Sequence, residues 1–330
     1  VILILIIKYN KRSSNMKIKH ISYEKSNQLV YNFHCSPNEN YFANGMLVHN
    51  CYKSNTTKGS YMTFETFKKV FDKLPKTLTQ IAFGADATLE SNPDIWKIIE
   101  YSRNNDVIPN ITVADINDMT AKRLAYYCGA VAVSRYENKD ICYNSVKKLT
   151  DAGMTQVNIH YMIAEETYEQ ALETLNDIKE DPRLSKLNAI VFLSLKQKGR
   201  GKSFTPLSQE KFTELTQYAL GNNIPIGFDS CSSLKFFKSL NSEQFKEYKK
   251  MIMPCESTLE SSYINVDGEF FPCSFTEGTE DWTTGTDVVN CEDFIKDVWN
   301  NPRVNAFRDM LIDTKSNNKF NCRECPLFNI

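Results

Sequence analysis

His49, Asn50 and Cys51 stand at three successive positions and together hold the parts of a backbone cleavage and transfer reaction. An Asn side chain can attack its own peptide carbonyl and close to a succinimide. A preceding His can polarise that carbonyl or carry the proton, and a following Cys supplies a thiolate able to receive the upstream chain. A β-hairpin carrying a chance His-Asn-Cys is the plain alternative, since Asn44-Gly45 is an ordinary turn signal. A second reactive set lies in the last third of the chain. Twelve residues separate Cys255 from Gly268, four separate Gly268 from Cys273, and Cys322-Arg323-Glu324-Cys325-Pro326 stands near the end. Four thiolates so spaced can close a tetrahedral cage, and spacing alone favours zinc. Cys291 lies between the two pairs and could substitute as a ligand. Gly268 permits a turn between Tyr263–Val266 and Phe270–Pro272, so a hairpin is expected there.

The elements that must position these groups alternate. Thr63 can cap a helix with Phe64, Phe67, Val70, Phe71 and Leu74 on one face, stopped by Pro75. A strand over Thr79–Phe83 comes next, ending in Gly84-Ala85-Asp86, then a helix over Pro93–Asn104. Further strands are predicted at Ile108–Val113, Ala130–Ser134, Gln156–Met162 and Ala189–Leu195, with helical stretches between them. Nearly continuous apolar strands alternating with helices imply a parallel sheet covered by helices. In such folds functional groups sit at the carboxyl ends of strands. Those ends are Gly84-Ala85-Asp86, Asp115, Ser134-Arg135, His160-Tyr161 and Lys196-Gln197, each of which taken alone also reads as a loop polar group or a cap.

The chain has 330 residues, 42% of them hydrophobic, and a net charge of -1, enough for one large domain and a smaller one. Near-neutral charge gives no support for a nucleic-acid or membrane partner. Ten cysteines and no secretion signal suit thiolate chemistry in the reducing cytoplasm. The opening run Val1–Ile7 is too short to span a bilayer and has its charges on the wrong side for a signal peptide. Cys128 and Cys142 sit in apolar contexts as buried thiols. Cys231 comes just after Asp229-Ser230, where a helix cap with a buried thiol is preferred to a role for Cys231 or Asp229 in a reaction chamber.

The junction resembles the C-terminal end of an intein. Val30-Tyr31-Asn32-Phe33-His34-Cys35 and Glu39-Asn40-Tyr41-Phe42-Ala43-Asn44-Gly45 resemble the penultimate block of that Hint fold, with Asn32 and Glu39 where the family often has Asp and His. Met16 to Asn50 has the size of the C-terminal piece of a naturally split intein. The resemblance implies His49, Asn50 and Cys51 as the splicing residues and a partner polypeptide carrying the N-terminal intein. A contiguous intein whose front half is missing from the gene model is the rival reading.

From Cys51 onward the chain resembles a radical SAM enzyme. Cys51, beside Tyr52, is similar to the third cysteine of the Cys-x-x-x-Cys-x-x-Cys signature, and the resemblance places the first two on the partner polypeptide. It implies a [4Fe–4S] cluster completed only after splicing, S-adenosylmethionine, and an electron donor such as flavodoxin or ferredoxin. Gly84-Ala85-Asp86 is similar to the family's Gly-Gly-Glu motif, departing from it at Ala85 and Asp86. Ser134 resembles the fourth-strand serine, His160 the fifth-strand ribose contact, and Arg200 belongs to a Gly-Arg element common after the sixth strand. The C-terminal cysteines resemble the twitch form of the auxiliary-cluster domain, the SPASM form having further cysteines that this sequence does not contain. Beside such a barrel, Cys255, Cys273, Cys322 and Cys325 read as iron–sulfur rather than zinc ligands.

The expected class is α/β: a partial (β/α)6 radical SAM barrel lacking its first strand (51–235), preceded by a short β-rich Hint fragment (16–50) and followed by a small α+β Cys-rich auxiliary domain (236–330). Residues 1–15 are read as a leader or mis-assigned upstream segment. The expected function is trans-splicing that yields a radical SAM enzyme acting on a peptide or small molecule. A metal-binding barrel that never splices is the alternative.

Overall fold

The computed structural model describes residues 2–7, 61–84, 89–253, 255–312, 325 and 327. The fragment 16–50, the junction His49-Asn50-Cys51, Ala85, Asp86 and Cys322 lie outside the described residues, as does the Arg200 side chain.

Thr63 caps helix α1 (Phe64–Phe71), its hydroxyl accepting from the Thr66 N–H at 3.1 Å. That fixes the phase of the helix, and Phe67 and Val70 point inward, the Phe67 ring lying 6.0 Å from that of Phe83. Phe83 belongs to strand β2 (Leu78–Gly84), after which strand and helix alternate. The series runs α2 (Ile95–Asn104), β3 (Ile108–Val113), α3 (Asp118–Tyr127), β4 (Ala130–Ser134), α4 (Lys139–Asp151) and β5 (Val157–Ile163). It continues with α5 (Tyr168–Glu180), β6 (Ala189–Ser194), α6 (Gln209–Gly221), β7 (Ile226–Phe228) and α7 (Ser233–Ser239). Asn117, Asn138 and Ser208 cap α3, α4 and α6 by the same side-chain-to-backbone bond as Thr63. Side chains such as Ile81, Ile99, Val131, Val146, Ile159 and Leu175 form one contiguous core, each contributing about 1.5–3 kcal/mol by leaving water.

Strands β2 to β7 are mutually parallel and lie in sequence order, as right-handed crossovers through intervening helices allow. The described strands form one sheet in the order β10 (Thr286–Asp287), β9 (Glu269–Phe271), β8 (Ser261–Ile264), β1 (Ile2–Ile7), β2, β3, β4, β5, β6 and β7. Two points differ from the expected partial barrel. The sixth parallel strand, β7, has no counterpart in the sequence expectations because Pro225 and Gly227 break up its three-residue run. The opening run, set aside with residues 1–15, forms strand β1 (Ile2–Ile7), antiparallel to both β2 and β8 (Ser261–Ile264). An apolar, isoleucine-rich segment suits a strand paired on both edges. Because β1 is antiparallel, it does not replace the first parallel strand of a barrel.

In the last third, β8 and β9 (Glu269–Phe271) make the expected hairpin. Gly268 takes φ +82°, and the Asn265 side chain accepts from the Asp267 and Glu269 N–H groups across the turn. Strand β10 (Thr286–Asp287) pairs with β9, and a final helix (Pro302–Ile312) follows, its buried Phe307 packed on Trp282 in a core that also holds Phe270, Phe271 and Trp299. No helix among the described residues is long and apolar enough to cross a membrane.

Candidate functional site

Strand alternation decides which residues face away from the helices. On β5, the Tyr161 hydroxyl donates to the Thr167 carbonyl at 2.9 Å, beside α5, so His160 takes the opposite face. On β2, Phe83 packs on α1, so Gln80 is also on the helix-free face, where its Oε1 accepts from Asn110 Nδ2 on β3 at 2.8 Å. Two residues further along β3, on the same face, stands Thr112.

His160 is 3% exposed, and neither ring nitrogen has a hydrogen-bond partner among the described residues. Thr112 Oγ1 is buried and unpartnered in the same sense. Burial alone pushes the imidazole pKa down to about 3, so the ring is neutral at ordinary pH. A neutral imidazole offers one donor and one acceptor, and leaving both idle costs free energy that a polar ligand would recover. Ser134 pairs with His160 in register on the next strand, with Arg135, 7% exposed, directly after it. Arg135 Nη1 donates to the Glu137 carbonyl at 3.1 Å, and its Nε is unpartnered among the described residues. The structure thus sets Ser134, the last residue of β4, beside His160, which lies in the middle of β5 and not at the carboxyl end expected from the sequence.

The depressed His160 pKa couples folding stability to pH. The unfolded chain takes up a proton near pH 6.5 that the folded chain refuses until about pH 3, so this contribution to stability is present above 6.5 and lost as pH falls. Denaturant titrations should lose roughly 1 kcal/mol between pH 6.5 and 5.5 from this residue, and His160→Phe should flatten the profile by that amount.

Lys196 and Asp229 stand just past the ends of β6 and β7 and form an ion pair at 2.5 Å, with both side chains 1% exposed. Burial opposes the Lys196 charge, but the Asp229 carboxylate and the Cys231 sulfur outweigh it and raise its pKa. The other Asp229 oxygen accepts from the Ser232 N–H at 3.0 Å, the Ser232 hydroxyl at 2.5 Å and the Ser194 N–H at 3.3 Å. Asp229 is therefore a cap and a counter-ion with its acceptor capacity filled, as preferred from its sequence. Lys196 is visible in the sequence only as a polar strand end, and its pairing with Asp229 is not.

The Lys196 ammonium also lies 5.3 Å from the Phe275 ring centroid, and Lys198 Nζ donates to the Phe275 carbonyl at 3.0 Å and to that of Glu277. These bonds stitch the sheet rim to the loop after Cys273. Ser257 Oγ donates to the Pro272 carbonyl at 2.7 Å, joining the segment after Cys255 to the one before Cys273. Cys255, Cys273 and Cys325 are not in disulfides. Burial, then charge at Cys325 and Cys231, pushes the Cys273 thiol up to about 12. Thiolates crowded together repel, and a bound cation reverses that penalty, so the donor set suits a thiophilic metal or cluster. Among the described residues no three His, Cys, Asp or Glu side chains already stand at metal-holding separation, and Cys322 lies outside them.

Cys291 does not join this set. Its thiol donates to the Val288 carbonyl at 3.3 Å, and its charged neighbours are Lys73, Asp297, Asp287 and Asp293. Its suggested part as a substitute ligand is thereby corrected: the 288–291 turn carries it to the α1 side, where Lys73 donates to its carbonyl. Cys128 and Cys142 are buried, with thiols raised to about 12, and read as inert. Arg200 lies in a short turn over Gly199–Ser203.

Residues 255–326 match the family model of SPASM, an iron–sulfur cluster-binding domain. Among solved structures, the chain is similar to the crystal structure of Streptococcus suis SuiB bound to S-adenosylmethionine, with TM-score 0.59 and 15% identity over 84% of this chain and 67% of that one. No curated protein matches the chain.

Proposed function

We propose that the chain is the C-terminal half of a trans-splicing pair and that ligation at Asn50/Cys51 yields a radical SAM enzyme with an auxiliary iron–sulfur cluster. The enzyme half is supported by the SuiB-like parallel sheet joined to a match to an iron–sulfur domain. The observation that carries the splicing half is local. A Cys-x-x-x-Cys-x-x-Cys signature ending at Cys51 needs cysteines at 44 and 48, where Asn44 and Val48 stand instead, and the next three residues after Val48 are His49-Asn50-Cys51. A contiguous intein in a longer gene would act at the same junction.

In this reading 16–50 is the Hint fragment, 51–235 carries the parallel strands of the catalytic sheet, 236–330 is the auxiliary domain, and ligation removes β1 from between β2 and β8. S-adenosylmethionine, to which SuiB is bound in its crystal structure, would lie on the helix-free face at the carboxyl ends of β2 to β5. There Gly84 lets the ligand approach the backbone, neutral His160 exchanges a hydrogen bond with a ribose hydroxyl, and Ser134 offers a further polar contact. Ala85 and Asp86 stand where the family's Gly-Gly-Glu motif meets the methionyl amino group, Asp86 with a shorter carboxylate, and Arg200 belongs to the Gly-Arg element after the sixth strand; all three stay in the proposed cofactor-binding set. When bound at a reduced [4Fe–4S] cluster, the cofactor supplies a 5′-deoxyadenosyl radical. The Lys196–Asp229 pair holds the rim against the auxiliary domain that carries Cys255, Cys273, Cys322 and Cys325. An external reductant of the flavodoxin or ferredoxin type supplies electrons, and the substrate is a peptide or a small molecule.

The test is anaerobic. The ligated protein, loaded with iron and sulfide and given dithionite, should convert S-adenosylmethionine to 5′-deoxyadenosine, and the unligated chain should not. Turnover by the unligated chain, or none by a fully loaded ligated protein, would overturn the reading.

A further inference from the structure

We infer that Cys231 is a ligand of the same cluster as Cys255, Cys273 and Cys325, an inference that rests on the iron–sulfur reading of those cysteines. Sequence context makes Cys231 a buried bystander; the structure gives it a different setting. It lies in the turn Ser230–Ser232 directly after β7, held there by Asp229 as cap. Two bonds tie that turn to the auxiliary domain. Ser233 Oγ, two residues on, donates to the Met253 carbonyl, two residues before Cys255. Lys196, bound to Asp229, rests on the Phe275 ring, two residues after Cys273. With Ser257 joined to Pro272, these contacts tie the turn that carries Cys231 to both loops that carry the expected ligands.

The electrostatics agree with that placement. The Cys231 thiol is raised by burial, lowered by Lys196, raised by Asp229 and, to a smaller extent, raised by charge at Cys255 and Cys325. Cys273 in turn responds to Cys325 and Cys231. The inert thiols look different, since Cys128 has Arg103 as its charged neighbour and Cys142 has Arg135 and Arg183, with no second sulfur acting on either. Four sulfurs from four segments (the β7 turn, the lead into β8, the end of β9 and the C-terminal loop) can each take one corner of a [4Fe–4S] cluster. In this arrangement the cluster is anchored to the catalytic sheet through β7 as well as to the hairpin, and Cys322 is the spare thiol. The Lys196 ammonium beside the Cys231 sulfur would donate a hydrogen bond to a coordinated thiolate, which raises a cluster's reduction potential.

The experiment compares wild type, Cys231→Ala and Cys322→Ala, each reconstituted anaerobically with iron and sulfide. In Cys231→Ala, mild oxidation should release the unligated iron and leave a [3Fe–4S] EPR signal, while wild type and Cys322→Ala stay EPR-silent under the same treatment. A Cys231→Ala cluster as resistant as wild type overturns the inference. Wild-type protein supplies a second readout that does not depend on how the variant folds. Cys231 should resist iodoacetamide while the cluster is bound and react once a chelator strips the iron, as read by peptide mass spectrometry; alkylation of Cys231 in the loaded protein overturns the inference. Should wild type take up zinc and no sulfide, the iron–sulfur reading fails separately. The ligand assignment is then read with Co²⁺, whose thiolate charge-transfer absorbance should fall by about a quarter in Cys231→Ala. An unchanged Co²⁺ spectrum would reject it.

Discussion

Replacing Asp229 by alanine is expected to destabilise the metal-free chain by about 3–5 kcal/mol, because it strands the buried Lys196 ammonium without a counter-ion. Lys196 is 1% exposed in its side chain, so it cannot recover the loss by turning to water. The size of the effect does not mean that the pair itself contributes that much. Two charges removed from water lose most of what their attraction returns, and the large number measures the cost of leaving one behind. The double variant Lys196→Met/Asp229→Ala should therefore regain most of the loss. It should stay about 1–2 kcal/mol below wild type, because Asp229 also caps the Ser230–Ser232 turn and accepts from the Ser194 N–H. Urea unfolding of wild type, both single variants and the double variant measures all four corners of this cycle. A single Asp229→Ala cost under about 1 kcal/mol would mean that the pair is not sealed from solvent.

The parallel core is largely legible in the sequence because each strand signals itself locally. Ile108–Val113 and Ala130–Ser134 have in the structure the bounds expected of them, since an apolar run between a helix end and a polar break has few other interpretations. Strand β7 escapes because three residues flanked by Pro225 and Asp229 carry no periodicity to detect. Strand β1 escapes for another reason: its partners, Leu78–Gly84 and Ser261–Ile264, lie far along the chain, and an apolar opening run does not announce them. The site divides the same way. Position at a strand end marks Ser134, whereas His160 lies mid-strand on β5, and no local pattern shows that both its ring nitrogens lack partners among the described residues, because that depends on what other strands offer. Lys196 and Asp229 are each visible as polar residues near strand ends. Their pairing exists only through the register of β6 beside β7, 33 residues apart. Cys231 is hidden for a related cause, since a thiol after Asp-Ser reads as a capped helix start, which it is, and only the bonds of neighbouring Ser233 and Lys196 bring that turn to the auxiliary unit.

Cys51 carries the other large prediction. Cys51→Ala should abolish ligation, because no group at that position can then accept the upstream acyl chain, while Asn50 retains an amide able to cyclise. Coexpression with the N-terminal partner should give the two starting masses or a cleaved product, and no species equal to the joined flanks without residues 1–50. A serine separates the two roles assigned to this residue. Its hydroxyl can accept an acyl group, though far less readily than a thiolate at neutral pH, whereas it is a poor ligand for iron. Cys51→Ser should thus still form some joined product, detectable by mass, whose S-adenosylmethionine cleavage falls to background. Its auxiliary cluster, held by distant cysteines, should remain in the iron and sulfide count. That pattern of partial ligation, auxiliary iron intact and cofactor cleavage gone is not produced by misfolding, which would remove all three together. Joined product from Cys51→Ala would disprove the splicing role, and cofactor cleavage surviving in joined Cys51→Ser would disprove the role in iron binding.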